Sequence, residues 1–394
     1  MNPSSSGWIA KHLDTLAKRY HEPVNANLMY NRMREVGFIY GISVGTICDR
    51  TPFGMSYADH ERAKINLLEG LWCTYKIQHN STEGFLEKAV GFYQKLDPEF
   101  EEFKQKKSAA PHKVLEALIH FRVLGDLGIL QKNFSQLLVN ALLFVDVLAF
   151  KKFLAEPAEN PLPYAQQMEA IVLNVVWLAL SKKEDKGEYD LKILGLFEKS
   201  IRYNKTIDHA PQELTGLGLE TITNALEQYY LLDLTSLAIW DDNKIDIDEY
   251  VFVELLAKHL NYNQEDAIKI VKLTKSFIGK HREHIPYFKT GSAVKQFYDQ
   301  TSKTVSLLIL RNKKSLIQEL RESKELLVLL AKSTQRDLSK AEKRKVKSQL
   351  LDICKSIPSL AIFILPGGGI LLPILIKLIP ELLPSAFNGN KIED

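Results

Sequence analysis

The sequence predicts an all-α, multi-domain helical protein, and three observations lead there. Apolar residues recur at three- and four-residue spacing through most of the chain, the alternation of half-buried strands is nearly absent, and helix-opening signals stand at Asp246-x-x-Glu249 and Ser339-x-x-Glu342. A chain of 394 residues has room for two or three domains. Changes of texture divide it into an N-terminal helical region (1–203), a second helical domain (204–300) and a C-terminal helical domain (301–394). The formal net charge of +3 is too small to point to direct DNA binding, and no pattern points to a cofactor or a small-molecule substrate. Cys48, Cys73 and Cys354 lie far apart in sequence and form no CxxC, so free thiols in a reducing compartment are expected. The N-terminus, MNPSSSGWIAKHLDTLAKRY, has no apolar h-region, reads as neither secretory signal nor transit peptide, and predicts a cytoplasmic location.

From Trp8 to Tyr203 the pattern is one of moderate helices, with loops at Thr51-Pro52-Phe53-Gly54, at 156–163 and in the charged run 181–188. Residues 134–154 are apolar enough to raise the question of a membrane span. Asn140 and Asp146 within the run, with Lys151 and Lys152 after it, predict a buried core helix instead. Gly41-Ile42-Ser43-Val44-Gly45 matches G-x-S-x-G, the serine-hydrolase elbow, in which glycines allow a sharp strand-to-helix turn that exposes the serine. Val36 to Tyr40 offers a strand, but Thr51-Pro52 stops any following helix early. A close-packed turn is expected, and a hydrolase would rest on Ser43 alone.

A helix through Leu226, Tyr229, Tyr230 and Leu234 opens the second domain and leads into an acidic turn. The next helix places Ile247, Val251, Leu255, Leu256 and Leu260 on one stripe. A further start at Asn263 aligns Ala267, Ile270, Val271, Thr274 and Phe277. Residues 214–278 resemble the TerB-like helical module of tellurite resistance, through Ala238, Asp242, Ile245 and Glu249, with Asn243 where that pattern has glycine. Asn tolerates the left-handed turn, so the exchange is mild.

The acids Asp241, Asp242, Asp246, Asp248 and Glu249 supply enough oxygens for a hard cation, but the calcium-loop spacing fails. Helix capping and a solvated turn are the preferred reading, with Asp241, Asp242, Asp246 and Glu249 kept as candidate metal ligands. His281 and His284 do not form H-E-x-x-H, and Pro286 ends their helix.

In the last domain one helix places Leu316, Leu320, Leu327 and Leu330 along one side. The box Ser339-x-x-Glu342 opens another, in which Lys340, Lys343, Arg344 and Lys347 recur at one-turn spacing beside Val346, Leu350, Ile353 and Ile357. Beyond it residues 357–376 carry no charge, yet Pro358, Pro366, Pro373 and Gly367 to Gly369 break the run. Length allows a span, whereas the punctuation predicts short helical pieces lying within protein or against lipid.

The order Leu338-Ser339, Glu342, Arg344, Asp352-Ile353, Ile357-Pro358, Phe363-Ile364, Pro366, Leu372-Pro373, Lys377-Leu378, Pro380, Leu383-Pro384-Ser385 and Phe387 resembles the C-terminal, ribosome-binding-like domain of the LETM family, the leucine-zipper, EF-hand-containing transmembrane proteins. With the TerB-like stretch, the bacterial, biofilm-associated branch is the most similar. The resemblance implies a non-enzymatic adaptor that docks on a ribosome, another protein, or peripherally on the inner face of the cytoplasmic membrane. Lys340, Lys343, Arg344, Lys347, Pro366, Pro373, Lys377 and Pro384 are the expected contacts. The alternative it implies is a membrane-embedded part of cation homeostasis. The transit peptide, clean transmembrane helix and calcium hands of the mitochondrial members are not legible here, and Lys377 and Glu381 are the ionisable groups nearest the apolar run.

Overall fold

The computed structural model describes residues 2–19, 25–48, 57–96, 110–124, 129–182, 186, 191, 213–240, 247–285, 309, 313–336 and 338–356, and every regular element among them is helical. The chain divides into two compact units, Met1–Ala293 and Val294–Asp394.

The first unit contains α1 (Trp8–Arg19), α2 (Ala26–Glu35), α3 (Asp59–His79), α4 (Phe85–Leu96), α5 (Pro111–Leu124), α6 (Ile129–Ala155), α7 (Pro161–Lys182), α8 (Ala225–Ala238), α9 (Ile247–His259) and α10 (Gln264–His281). Helices α3 and α6 lie at its centre, α7 packs on α6, and α8 joins α7 to α10. Residues 213–285 thus share a unit with residues 2–182.

Helix α3 is buried almost all round from His60 to Tyr75. Gly70 lets α2 and α6 approach, since a Cβ there would lie 2.8 Å from Met33 Cε and 3.1 Å from Val147 Cγ2. Burying polar groups is costly unless they are bonded, so the polar side chains of α3 need partners. Glu61 accepts from the Ala58 amide (3.0 Å) and Ser4 Oγ (2.6 Å), Lys64 Nζ meets His120 Nδ1 at 3.0 Å, and Glu69 meets His12 at 2.8 Å.

Two fully buried carboxylates fasten helices together. Asp233, within the apolar run of α8, accepts from Tyr30 (2.6 Å), from Arg34 Nη2 (2.8 Å) and Nε (3.0 Å), from Tyr40 (2.9 Å) and from Thr274 (3.3 Å). It therefore joins α2, the 3-10 turn Phe38–Tyr40, α8 and α10. Burial, and next the Asp233 charge, push the Tyr30 and Tyr40 phenols well above their ordinary value and keep them donors. Asp146 of α6 accepts from Tyr93 of α4 (3.1 Å) and from Arg122 of α5 (2.5 and 2.9 Å). Glu169 of α7 lies 3.8 Å from the same guanidinium, and burial raises its carboxyl to about 7.

Residues 134–154 belong to α6, and Phe144, Val145, Val147, Leu148 and Phe150 are core residues. Among the described residues no helix is long and apolar enough to cross a membrane. Helix α7 starts inside the expected loop: Asn160 Oδ1 accepts from the Leu162 amide, and prolines are tolerated in a first turn that needs no amide donor. The strand offered by Val36 to Tyr40 is a turn and the 3-10 helix. Gly37 (φ +76°) is held there because the Ile42 amide donates to its carbonyl at 3.1 Å, and an added Cβ would fall 2.0 Å from the Ile42 oxygen.

The α10 stripe is buried as the spacing predicts, and its cap is Asn263, whose side chain accepts from the Asp266 amide. The α9 stripe holds at Leu256 and Leu260 and is corrected at Val251 and Leu255. Val251 and Leu255 are exposed (41% and 47%), while Phe252, Val253, Leu256, Ala257 and Leu260 face the core. Apolar residues populate more than one face of α9, so periodicity left two phases open, and packing on α8 and α10 selects one.

The second unit contains α11 (Lys313–Glu322), α12 (Lys324–Gln335) and α13 (Lys340–Ser356), each packing on the other two. One expected helix is thus two, broken at Ser323; Leu316, Leu320 and Leu330 of the expected stripe are buried, while Leu326 and Leu329 take the place of Leu327.

Candidate partner-binding face

Helix α13 is held by its N-terminal box and by its apolar stripe. The Ser339 amide donates to Glu342 Oε2 (2.9 Å) and the Glu342 amide to Ser339 Oγ (3.3 Å), the reciprocal pair that satisfies two orphan donors. Arg336 completes the corner with two bonds to the Glu342 carboxylate, at 2.6 and 3.0 Å. The Arg336 bonds first, then those of Ser339, lower the Glu342 carboxyl to about 2. Val346, Leu350 and Ile353 are buried against α11 and α12. Lys345 pairs with Glu325 of α12, and Gln349, one turn later, donates to the same carboxylate at 2.8 Å.

These contacts fix the rotation of the helix. At roughly 100° per residue, Lys343, Lys347, Lys340 and Arg344 fall within an arc of about 100°, beside the buried stripe and away from Lys345. All four are exposed. The described ion pairs of α13 use Glu342 and Lys345, so these four cations have no acidic partner among the described residues. The arrangement presents a row of positive charge at one-turn intervals of about 5 to 6 Å, which fits the spacing of neighbouring phosphates better than a lone carboxylate.

Of the other expected contacts, Pro366, Pro373, Lys377 and Pro384 lie outside the described residues, as does the apolar run 357–383. Asp241, Asp242 and Asp246 also lie outside them, and Glu249 is in the first turn of α9. Among the described residues no three His, Cys, Asp or Glu side chains group as metal ligands. His281 closes α10, its ring 5.0 Å from that of Phe277, and His284 ends the following 3-10 turn.

Ser43 does not sit in an elbow. It is buried, its hydroxyl accepts from Asn66 Nδ2 at 3.1 Å, and its carbonyl accepts from Arg62 Nε at 2.6 Å. Among the described residues neither a histidine nor a carboxylate reaches its hydroxyl, and α3 starts only at Asp59. Sequence reasoning passed over Asp233, read Asp146 as a sign of a buried helix without its partners, and took Cys48 and Cys73 as separate thiols. An acid inside an apolar run signals a buried partner, and Leu-Leu-Asp233-Leu carried that signal.

Comparison with known proteins covers part of the chain. Residues 338–394 match the family model described as "LETM1-like, RBD". Over 130 residues the chain is 30% identical to the LETM1 domain-containing protein YLH47, mitochondrial, of Saccharomyces cerevisiae. That match takes in 33% of this chain and spans 24% of the yeast protein's length. No solved structure matches the chain.

Proposed function

We propose that the chain is a non-enzymatic docking protein whose C-terminal domain (301–394) binds a ribosomal surface through the basic face of α13. One observation carries this reading: Lys340, Lys343, Arg344 and Lys347 stand exposed on one arc of a helix whose rotation is fixed by its cap and core, inside the segment that matches the LETM1-like, RBD model. A ribosome offers closely spaced RNA phosphates, and neutralising them releases counterions, a gain that a mixed-charge protein surface lacks.

The resemblance of residues 214–278 to a TerB-like module belongs to the same proposal. Its support is the pair α9 and α10 joined by a short turn, packed with α8 inside the first unit. A bacterial, biofilm-linked role and a peripheral position on the inner face of the cytoplasmic membrane follow from the resemblance of the sequence. The embedded, cation-exchanging alternative would place its span in residues 357–376, which lie outside the described residues.

The test is sedimentation of the full chain with purified ribosomes and, in parallel, with vesicles rich in anionic lipid. Wild type is expected to sediment with ribosomes at low salt, and the variant carrying Lys340→Glu, Lys343→Glu, Arg344→Glu and Lys347→Glu to stay behind. Sedimentation with vesicles alone would move the docking face to the membrane. Equal behaviour of wild type and variant in both arms would leave the four cations as an ordinary solvated surface.

A further inference from the structure

The irregular segment from Ser43 to Cys48 runs alongside α3 in a fixed register. Four α3 residues, Arg62, Asn66, Glu69 and Cys73, follow at spacings of four, three and four and so share one face of the helix. Each meets the segment in ascending order. Arg62 donates to the Ser43 carbonyl at 2.6 Å, and Asn66 donates to Gly45 O at 2.9 Å while accepting from the Ile47 amide at 3.1 Å. Glu69 accepts from the Cys48 amide at 2.9 Å, with its other oxygen held by His12 at 2.8 Å. That register brings Cys48 level with Cys73, and the two sulfurs lie 3.9 Å apart.

We propose that Cys48 and Cys73 are a dithiol that closes to an intramolecular disulfide under a hydroperoxide oxidant. The frame that sets the register does not depend on the sulfurs, so closure needs the sulfurs to approach from 3.9 Å to about 2.05 Å, a movement that side-chain rotation supplies. Cys48 is half-buried and Cys73 buried, which sets the order of events. The Cys48 thiol gives its proton to solvent, its sulfur attacks the terminal oxygen of the hydroperoxide, the O–O bond breaks to leave a sulfenic acid, and the departing hydroxide or alkoxide takes up a proton from solvent to leave as water or an alcohol. The Cys73 sulfur then attacks the Cys48 sulfur, the S–O bond breaks, and the hydroxyl departs as water with the Cys73 proton. The two thiols have then given two electrons to the hydroperoxide. Its hydrogen bond with Cys73, then burial and the Glu69 carboxylate, hold the Cys48 thiol above its ordinary range. Reaction is therefore slow, and the pair closes under sustained oxidant rather than in passing.

The full chain carrying Cys354→Ser, which removes the third thiol, is exposed to hydrogen peroxide, denatured, alkylated and analysed by intact mass and peptide mapping. The expected result is a loss of about 2 Da, no alkylation at either cysteine, a Cys48–Cys73 linked peptide, and a thermal midpoint higher by about 5 °C that dithiothreitol reverses. With Cys73→Ser added, oxidation is expected to stop at a Cys48 sulfenic acid that dimedone traps. Both thiols remaining alkylatable under peroxide that oxidises a control dithiol would overturn the proposal. So would direct passage of Cys48 to a sulfinic acid with Cys73 present, or linkage only between chains.

Discussion

Replacing Asp233 with asparagine is expected to be among the most damaging single changes in the first unit. The side chain is fully buried and accepts from four residues, and its strongest partner, the Arg34 guanidinium, is itself almost wholly enclosed. Asparagine keeps the shape but removes the charge and turns one acceptor into a donor, which then faces donors already in place. Losing one member of a buried ion pair costs about 3 to 5 kcal/mol, because the other charge stays desolvated without compensation. That is a large share of the roughly 5 to 15 kcal/mol that separates folded from unfolded domains. Urea unfolding followed by far-ultraviolet circular dichroism measures it as a lower midpoint at unchanged slope. Thr274→Val, which removes the longest contact at 3.3 Å, serves as the mild control at about 1 kcal/mol. A cost for Asp233→Asn below about 1 kcal/mol would refute the reasoning, since it would mean that water reaches Arg34 and stands in for the carboxylate.

Three further perturbations have defined outcomes. Gly37→Ala should cost about 3 kcal/mol or more in urea unfolding, from the left-handed backbone at φ +76° and from a Cβ set against the Ile42 oxygen and the Phe277 ring. Burial lowers the Lys64 ammonium to about 8 while the unfolded chain keeps its proton to about 10.5, so between those values the unfolded state binds more protons and stability rises with pH. The rise should reach roughly 3 kcal/mol in wild type relative to Lys64→Met, read from unfolding midpoints across that window. Ser339→Ala should loosen the start of α13 by about 1 kcal/mol, seen as faster amide exchange at residues 340–343. Because the Glu342 carboxyl is held down to about 2, wild type should lose the same protection as pH falls from the ordinary carboxylate value of 4.5 towards 2.

Local pattern made the fold class and the α13 face legible. An alanine-poor helix with a serine box, cations one turn apart and an apolar stripe beside them needs no distant contact to be read, and Val346, Leu350 and Ile353 are buried where the spacing puts them. The α10 stripe was legible for the same reason. In α9 several faces are apolar, so Val251 and Leu255 were assigned with Leu256 to the core that α8 and α10 in fact offer to Leu256, Phe252 and Val253. Cys48 and Cys73 were out of reach because sequence separation hides a register set by Arg62, Asn66 and Glu69. Asp233 was hidden differently. Its partners come from three other elements, and an acid among leucines announces a buried bond without naming the donor.

The salt dependence of ribosome binding tests the docking face most directly. If the four cations of α13 each neutralise a phosphate, the logarithm of the binding constant should fall against the logarithm of salt concentration with a slope of about −3. Single substitutions Lys340→Gln, Lys343→Gln, Arg344→Gln and Lys347→Gln should each reduce that slope by about one while leaving the helical signal unchanged. Binding that is independent of salt, or a slope that survives replacement of all four, would contradict the account.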